Sequence, residues 1–600
     1  MTKRLIQVFS VLSVLLLSVF VSASLAASRP VKQEEIPYGG TFVVGWSTSL
    51  STLKMGQEMC WSLMGCAILS LVYEELAFMG PPPDYDVYVG RLATNWTVSE
   101  DLKTWTFYLD PKAKWHDGEP VTAEDVAFTF KYLCNPETGH WVWCSVDTNA
   151  SKIEVLDEHT VRVTMYQPIA GEVPFWWVPI LPKHIWEPYK DNMMAFENTE
   201  AIGCGPFMLE EFKPGEYIKL KAFEDYHLGR PYVDYVVLKT YGSEDALVMA
   251  LLKGEIDMIE PFCLTPSGAM TILKSNAPNV TVRSDPGDMM YWMAVNLKMN
   301  ATTGGPAAEA LKKLDFRKAL AYAINKEKMC DVAFMGWADP IDQPIASVLD
   351  YYNPNVTKYE YDPDKAASLL DALGYVDTDG DGWRDVDGTP IELKLLGVST
   401  WPAHVKMATC IKEDLEAIGL KVDVVLVDES AYWEVVFTPP EQSGYHLVLF
   451  GESVGPNVGF PLEAGLSGGY GNVAGYENPT YDDLYNEFVS EPDRDRRIAI
   501  CHEMVKILSD DLPFIYLISP RALTAYRTDK FEGWVFGIGG ASTWYSRWTY
   551  WNIHLKPKPA PAAPARPAWM TWLPWVIAAV VVVAAVVTVI YITRKASGGA

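Results

Sequence analysis

Basic side chains are in short supply. The 600 residues hold 49 Lys and Arg against 76 Asp and Glu, a net charge of −27. Phosphate backbones are held by clustered cations, and no basic run of that kind occurs, so nucleic acid is excluded as a partner. Histidine is scarcer still, at 9 residues. There is no H-E-x-x-H pair, and His184 has no second His or Cys at ligand spacing, so a catalytic zinc has nothing to sit on. Histidines this scattered place no general base beside a nucleophile, which makes a secreted hydrolase the weaker reading. The nine cysteines (60, 66, 134, 144, 204, 263, 330, 410 and 501) are odd in number, so at least one thiol stays outside any intramolecular pairing. Cys134 and Cys144 flank an Asn135-Pro136 turn and are the expected disulfide, worth about 2–3 kcal/mol.

Long apolar runs are confined to the two ends. Lys3 and Arg4 precede an apolar stretch from Leu5 to Val21 and small residues around Ala26 and Ala27, the pattern of a secretory signal peptide over 1–27. No Cys stands at that junction, so a bacterial lipid anchor has no attachment point. Near the other end Trp572 to Thr593 is uncharged and rich in Val, Ala and Ile, close to the roughly 20 residues that cross about 30 Å of hydrocarbon. A transmembrane helix is therefore expected over 570–593. Trp569, Trp572 and Trp575 mark one interface, while Arg594 and Lys595 put the tail 594–600 in the cytoplasm and the body of the protein outside. The intervening 556–569 is rich in Pro and Ala and reads as an extended spacer. Asn-x-Ser/Thr triplets at Asn95, Asn149, Asn279, Asn300 and Asn355 suit an exposed glycosylated surface, which would also fit a surface-layer or adhesion protein.

Between these ends the pattern is that of alternating strands and helices. In Thr104 to Leu109, Trp105, Phe107 and Leu109 alternate with Thr106 and Tyr108, so a strand with one apolar face is expected. His116-Asp117-Gly118 turns the chain. Thr122 and Asp125 stand at capping-box spacing before Val126, Phe130 and Leu133, one buried stripe of a helix. Further helices are expected at Glu244–Lys253, stopped by Gly254, at Ala403–Ile418, stopped by Gly419, and at Arg496–Ser509; strands are expected at Val422–Val427 and Phe514–Ile518. Strand and helix alternating with glycine stops predict α/β lobes.

The wording of the segment from Trp105 through His116-Asp117-Gly118 to Ala123-Glu124-Asp125-Val126 resembles the signature of the family 5 extracellular solute-binding proteins. Val72-Tyr73-Glu74-Glu75-Leu76, Leu92-Ala93-Thr94-Asn95-Trp96, Ile180 to Ile185, Asp225 to Pro231, Gly254-Glu255-Ile256-Asp257, Arg317-Lys318-Ala319-Leu320 and Gly475 to Pro479 resemble further phrases of that family, so the likeness spans Gly39 to Trp551. The resemblance implies a two-lobed, class C (type II) periplasmic-binding-protein-like α/β fold with an extra subdomain. Lobe I is expected over 36–58, 191–288 and 515–555, an inserted subdomain over 59–190 and lobe II over 289–514, with crossings near Met289 and Ile515. It also implies a monomeric, non-enzymatic receptor that closes on a peptide or oligosaccharide and passes it to an ABC permease.

Two stretches carry candidate site chemistry. Asp377-Thr378-Asp379-Gly380-Asp381-Gly382-Trp383 places carboxylates at the first, third and fifth positions, a turn glycine at the sixth and a main-chain carbonyl at the seventh, as a structural calcium ion requires. Gly388 stands where an EF-hand has its bidentate Glu, so Asp385 or Asp387 has to replace it. Ligand contact is expected from loop tryptophans, which stack on sugars or line a peptide cleft: Trp46, Trp61, Trp401, Trp433 and Trp544. In the family the ligand's amino terminus is understood to meet an Asp after the strand here spelled Tyr445 to Phe450. This chain has Gly455 at the matching place, so either Glu452, with Asn457 beside it, replaces the counter-charge, or the ligand need not be a peptide and an oligosaccharide competes.

Overall fold

A computed structural model of the chain describes residues 36–597 apart from 56–58, 60–61, 86, 134–151, 167, 172, 174–176, 457, 470, 543–546 and 558–567. The expected signal peptide, the Cys134–Cys144 pair and most of the Pro/Ala spacer lie outside the described residues. Tyr38–Leu555 forms one compact unit, and the helix Ala568–Ser597 belongs to a second.

Within Tyr38–Leu555 the chain builds two large sheets. The first has seven strands in the order Val280–Asp285, Ala522–Arg527, Met258–Ile259, Thr41–Trp46, Tyr235–Thr240, Tyr217–Ala222, Phe207–Lys213. Its centre is parallel, Thr41–Trp46 running with Tyr235–Thr240 on one side and Met258–Ile259 on the other. The second has six, in the order Ala338–Pro340, Phe514–Pro520, Met289–Val295, Leu447–Ser453, Glu392–Val398, Lys421–Val427. Glu392–Val398 is parallel to both of its neighbours.

The strand Met289–Val295 shows why the second sheet is so apolar. Its sequence MMYWMAV is buried along almost its whole length. Tyr291, Met293 and Val295 enter one core, while Met290, Trp292 and Ala294 enter another on the opposite face. A strand covered on both sides reads as an unbroken apolar run. Helix Pro402–Glu416 supplies part of the first cover with Met407, Ala408, Ile411 and Leu415; each large side chain so buried contributes about 1.5–3 kcal/mol. Proline at its first turn starts it, since the missing amide is one that the helix would leave unpaired, and Gly419 at φ 84° follows its end.

The region 59–190 forms a separate four-stranded sheet, ordered Ala93–Val98, Thr104–Leu109, Thr160–Thr164, Ile153–Asp157, together with the helix Ala123–Tyr132. The capping box forms as its residues suggest: the Thr122 amide donates to Asp125 Oδ2 at 2.8 Å. This subdomain shares one continuous core with the first sheet, so packing does not divide the two.

The chain passes between the sheets twice, from Asp285 to Met289 and from Pro520 to Ala522. Ile515, where the second crossing is expected, lies inside a strand paired with Met289–Val295. Ile515 and Leu517 are buried in the second lobe's core, which keeps the whole strand there and moves the crossing past Pro520.

The end unit contains the helix Ala568–Ser597, 30 residues long. Only part of its side chains belong to the described set, and among the described residues no helix is long and apolar enough to cross a membrane.

Candidate functional site

In the second lobe three strands end side by side, and the segments leaving their ends converge. In open α/β sheets the crevice beyond the carboxyl ends of parallel strands is where ligands bind. After Val398 the chain turns through Trp401 into helix Pro402–Glu416. After Val427, Asp428 caps helix Glu429–Val436 by accepting from the Ala431 amide at 3.1 Å, and that helix carries Tyr432 and Trp433. The third strand, Leu447–Ser453, carries Phe450 and Glu452 on one face by its period of two.

These residues form an aromatic group. Trp401 meets His404 at 4.8 Å and Trp433 at 6.4 Å; Tyr432 meets Trp433 at 5.2 Å; Trp433 meets Phe450 edge-on at 6.0 Å and stacks on Phe437 at 5.9 Å. Phe450 in turn stacks on Trp292 at 4.8 Å. Tyr432 is fixed by donating to the Leu449 carbonyl at 2.9 Å. His404 accepts the Val398 amide at Nδ1, 3.2 Å. Burial pushes this imidazole down to about 4, so it is neutral with its proton on Nε2, which is buried without a partner.

Glu452 sits beside this group, near enough for its charge to act on Tyr432. It is half-buried, and that burial pushes its carboxyl up to about 8. Among the described residues no cation approaches it.

The next residue ties the strand to the lobe crossing. Ser453 Oγ donates to Asp288 Oδ2 at 2.7 Å, and burial raises Asp288. The first lobe answers with Glu260, which follows the parallel strand Met258–Ile259. It accepts from Ser542 Oγ at 2.6 Å. Burial, then the nearby Asp288 charge, push it up to about 8. The meeting of the lobes is thus lined by carboxylates that, among the described residues, lack cations of their own. Sequence reading does not single out Glu260, Asp288, His404 or Tyr432; the strand ends that converge here lie far apart in the chain, and only pairing brings them together.

The expected ligand residues fare unequally. Trp401, Trp433 and Glu452 come together at this edge. Trp46 is not a loop residue: it ends the central strand of the first sheet and is 1 % exposed in that lobe's core. Trp61, Trp544 and Asn457 lie outside the described residues. Of the calcium set, Asp377, Asp379 and Asp385 each bring an oxygen within 4.8 Å of the others. Asp381 is exposed and accepts the Trp383 amide at 2.8 Å. Asp387, at φ 51°, forms with Gly388 at φ 73° the two-residue turn between Asp385–Val386 and Thr389–Pro390.

Gly451-Glu452-Ser453-Val454-Gly455 has the G-x-S-x-G spacing of a nucleophile elbow. Among the described residues no imidazole bonds Ser453, whose hydroxyl donates to the Asp288 carboxylate, and the next described helix is the short Gly459–Glu463 rather than one starting at the serine.

Comparison with known proteins agrees with this architecture. The family described as "Bacterial extracellular solute-binding proteins, family 5 Middle" matches residues 87–456. The oligopeptide-binding protein AppA of Bacillus subtilis is 28 % identical over 425 residues, 68 % of this chain and 74 % of that one. The nickel-binding periplasmic protein of Escherichia coli is 26 % identical over 444 residues, 71 % and 80 % of the two chains. The solved structure of the Bacillus AppA with a nonapeptide superposes with a TM-score of 0.65 at 23 % identity, covering 87 % of this chain and all of that one.

Proposed function

The chain belongs to the bacterial extracellular solute-binding proteins of family 5, and from that premise we propose that it is the receptor of an ABC importer, capturing a peptide by its amino end and delivering it to the permease. The observation that carries the reading is Glu452. A carboxyl held up to about 8 with no described cation near it gains from a ligand ammonium, because opposite charge restores the ionised form that burial penalises. Trp401 and Trp433, both half-buried, belong to the aromatic group beside it, and their faces suit apolar side chains and attract cations. Glu260 and Asp288, both raised by burial, add to the preference for positive charge. Relatives are named for oligopeptide and for nickel, and a peptide's free amino terminus, like a nickel ion, is positively charged. Closure about the two crossings binds the solute between lobes without reacting with it, and the ligand favours the closed form by its differential affinity.

The receptor works outside the cytoplasm, and in this reading the helix Ala568–Ser597 holds it to the membrane. Thirty residues at about 1.5 Å each reach roughly 45 Å, and the run Trp572 to Thr593 carries no charge. Full-length protein should then stay in the membrane pellet through alkaline carbonate extraction, while a chain ending at Leu555 should appear in the medium. Extraction of the full-length protein by carbonate would end the tether reading.

The ligand is tested by native mass spectrometry of the full chain with peptide and oligosaccharide libraries. The expected result is stoichiometric capture of unmodified peptides, lost on N-acetylation of the peptide and on Glu452→Gln. Capture of neutral oligosaccharides with no peptide bound would overturn the peptide reading, and turnover of either would overturn the receptor.

A further inference from the structure

The loop Asp377–Gly382 and the strand residue Asp385 carry chemistry that solute capture does not use. The backbone folds tightly on the aspartates: Asp377 accepts from the amides of Gly380 at 2.7 Å and Gly382 at 3.0 Å, and Asp379 from the Asp381 amide at 3.0 Å. Asp turns of this kind occur without any ion, and by themselves they make no site. The decisive residue is Asp385. It is 2 % exposed. Its Oδ2 is taken by the Thr378 amide at 2.9 Å and hydroxyl at 2.5 Å, whereas its Oδ1 is buried with no partner. A buried carboxylate oxygen left unpaired costs roughly 1–3 kcal/mol or more. One oxygen each from Asp377, Asp379 and Asp385 lies within 4.8 Å of the others.

The adjacent cation does not relieve this. Arg384 is turned the other way, donating to Asp371 Oδ1, to the Tyr375 carbonyl and to the Ile418 carbonyl. The result is three acidic oxygens around one point and a buried lone pair with nothing to bind. We propose that Asp377, Asp379 and Asp385 bind one calcium ion, with Asp385 rather than a twelfth-position Glu closing the site. Oxygens around a calcium at about 2.3–2.6 Å stand up to roughly 5 Å apart, whereas magnesium at about 2.0–2.1 Å draws them closer. The donor set holds no nitrogen or sulfur, which disfavours zinc, nickel and copper. Asp381 and main-chain carbonyls such as that of Trp383 are the next oxygens along the loop for a shell of about six to eight.

The ion's role follows from its place. The loop joins helix Pro363–Ala372 to the hairpin Asp385–Val386/Thr389–Pro390, which leads directly into Glu392–Val398, the strand that ends at the Trp401 edge. Binding fastens that entry, so calcium acts on stability and leaves the solute site's chemistry alone.

The test uses the full-length protein in detergent, stripped with chelator and titrated with calcium chloride by calorimetry and thermal unfolding. One calcium per chain and a rise in Tm are expected, with a smaller rise from magnesium at equal concentration. Terbium, a calcium substitute, should give luminescence sensitised through Trp383. Asp385→Asn should abolish the calcium-dependent rise. Because that residue is buried and the variant could misfold, the exposed Asp379→Asn serves as the second variant, expected to fold and to weaken calcium binding about tenfold or more as a ligand charge is lost. Absence of calcium heat and of any Tm change in the wild type would overturn the site, as would a rise unaltered in Asp379→Asn. Neither result bears on peptide capture, which is read separately.

Discussion

Arg547 donates to the Glu75 carboxylate at 2.7 Å, joining residues 472 positions apart. Both are nearly sealed from solvent, and the guanidinium also lies 3.7 Å over the Phe78 ring. Next to them Arg91 bonds Glu74 through Nε and Nη2, and Tyr226 donates to the same carboxylate. The network therefore fixes the inserted subdomain, the first sheet's lobe and the C-terminal segment at one point.

Arg547→Met should be strongly destabilising, by about 3–5 kcal/mol, because it strands a buried carboxylate. Adding Glu75→Gln should recover part of the loss, since burial already pushes Glu75 up to about 7 with Arg547 in place. Urea unfolding of the single and double variants measures this; equal stability of the two would show that the contact carries no coupling.

The carboxyl of Glu452 gives stability a definite pH dependence. Burial raises it from 4.5 to about 8, so between those values the folded state holds a proton that the unfolded chain has lost. Stability from this group is present in full below about 4.5 and disappears as pH rises through about 8. Ligand-free Glu452→Gln should accordingly show a flatter fall of Tm from pH 5 to pH 9 than the wild type, the two diverging at the alkaline end. Parallel curves would mean that Glu452 is solvated.

Trp401 precedes helix Pro402–Glu416 without a side-chain cap bond, so replacing it removes aromatic contact and little else. Trp401→Ala should weaken peptide capture about tenfold, in line with an aromatic contact worth about 0.5–1.5 kcal/mol plus its buried area, while leaving Tm within a few degrees. A large drop in Tm with unchanged affinity would make it a packing residue alone.

How far the sequence reaches is visible in particular residues. Glu244–Lys253 forms the helix its pattern predicts, because Ser243 accepts the Ala246 amide at 3.2 Å at one end and Gly254 turns at φ 78° at the other; caps are local chemistry. The sequence offers Trp401, Trp433 and Glu452 as candidates for ligand contact, but that they share an edge depends on the parallel pairing of Glu392–Val398 with both neighbours. Trp46 is expected in a loop, but an aromatic residue ending a strand looks the same in sequence whether its own lobe's core or solvent lies over it. The second crossing lies away from its expected place for a related reason: Phe514–Pro520 is apolar enough for either sheet, and its partner Met289–Val295 decides.

The two crossings are also where a single methyl group has most leverage. Gly287 lies in the first and Pro520 at the start of the second, and a Cβ on Gly287 would stand 1.7 Å from the Pro520 carbonyl oxygen. That partner is backbone, which has no side-chain rotamer to yield, and the segment is held from both directions: Gly539 donates to the Pro286 carbonyl at 2.9 Å, and Asp288 accepts from Ser453. The methyl can be accommodated only by moving the crossings apart, which shifts one lobe against the other. Gly287→Ala is thus expected to cost about 1–3 kcal/mol, the range for overpacking, and to weaken peptide capture although it touches no ligand. Gly242→Ala, with nothing within 4 Å of its Cβ, is the matched control and should alter neither. Thermal unfolding and capture are read on both variants; a Gly287→Ala protein that behaves like Gly242→Ala would show that the crossings give way freely.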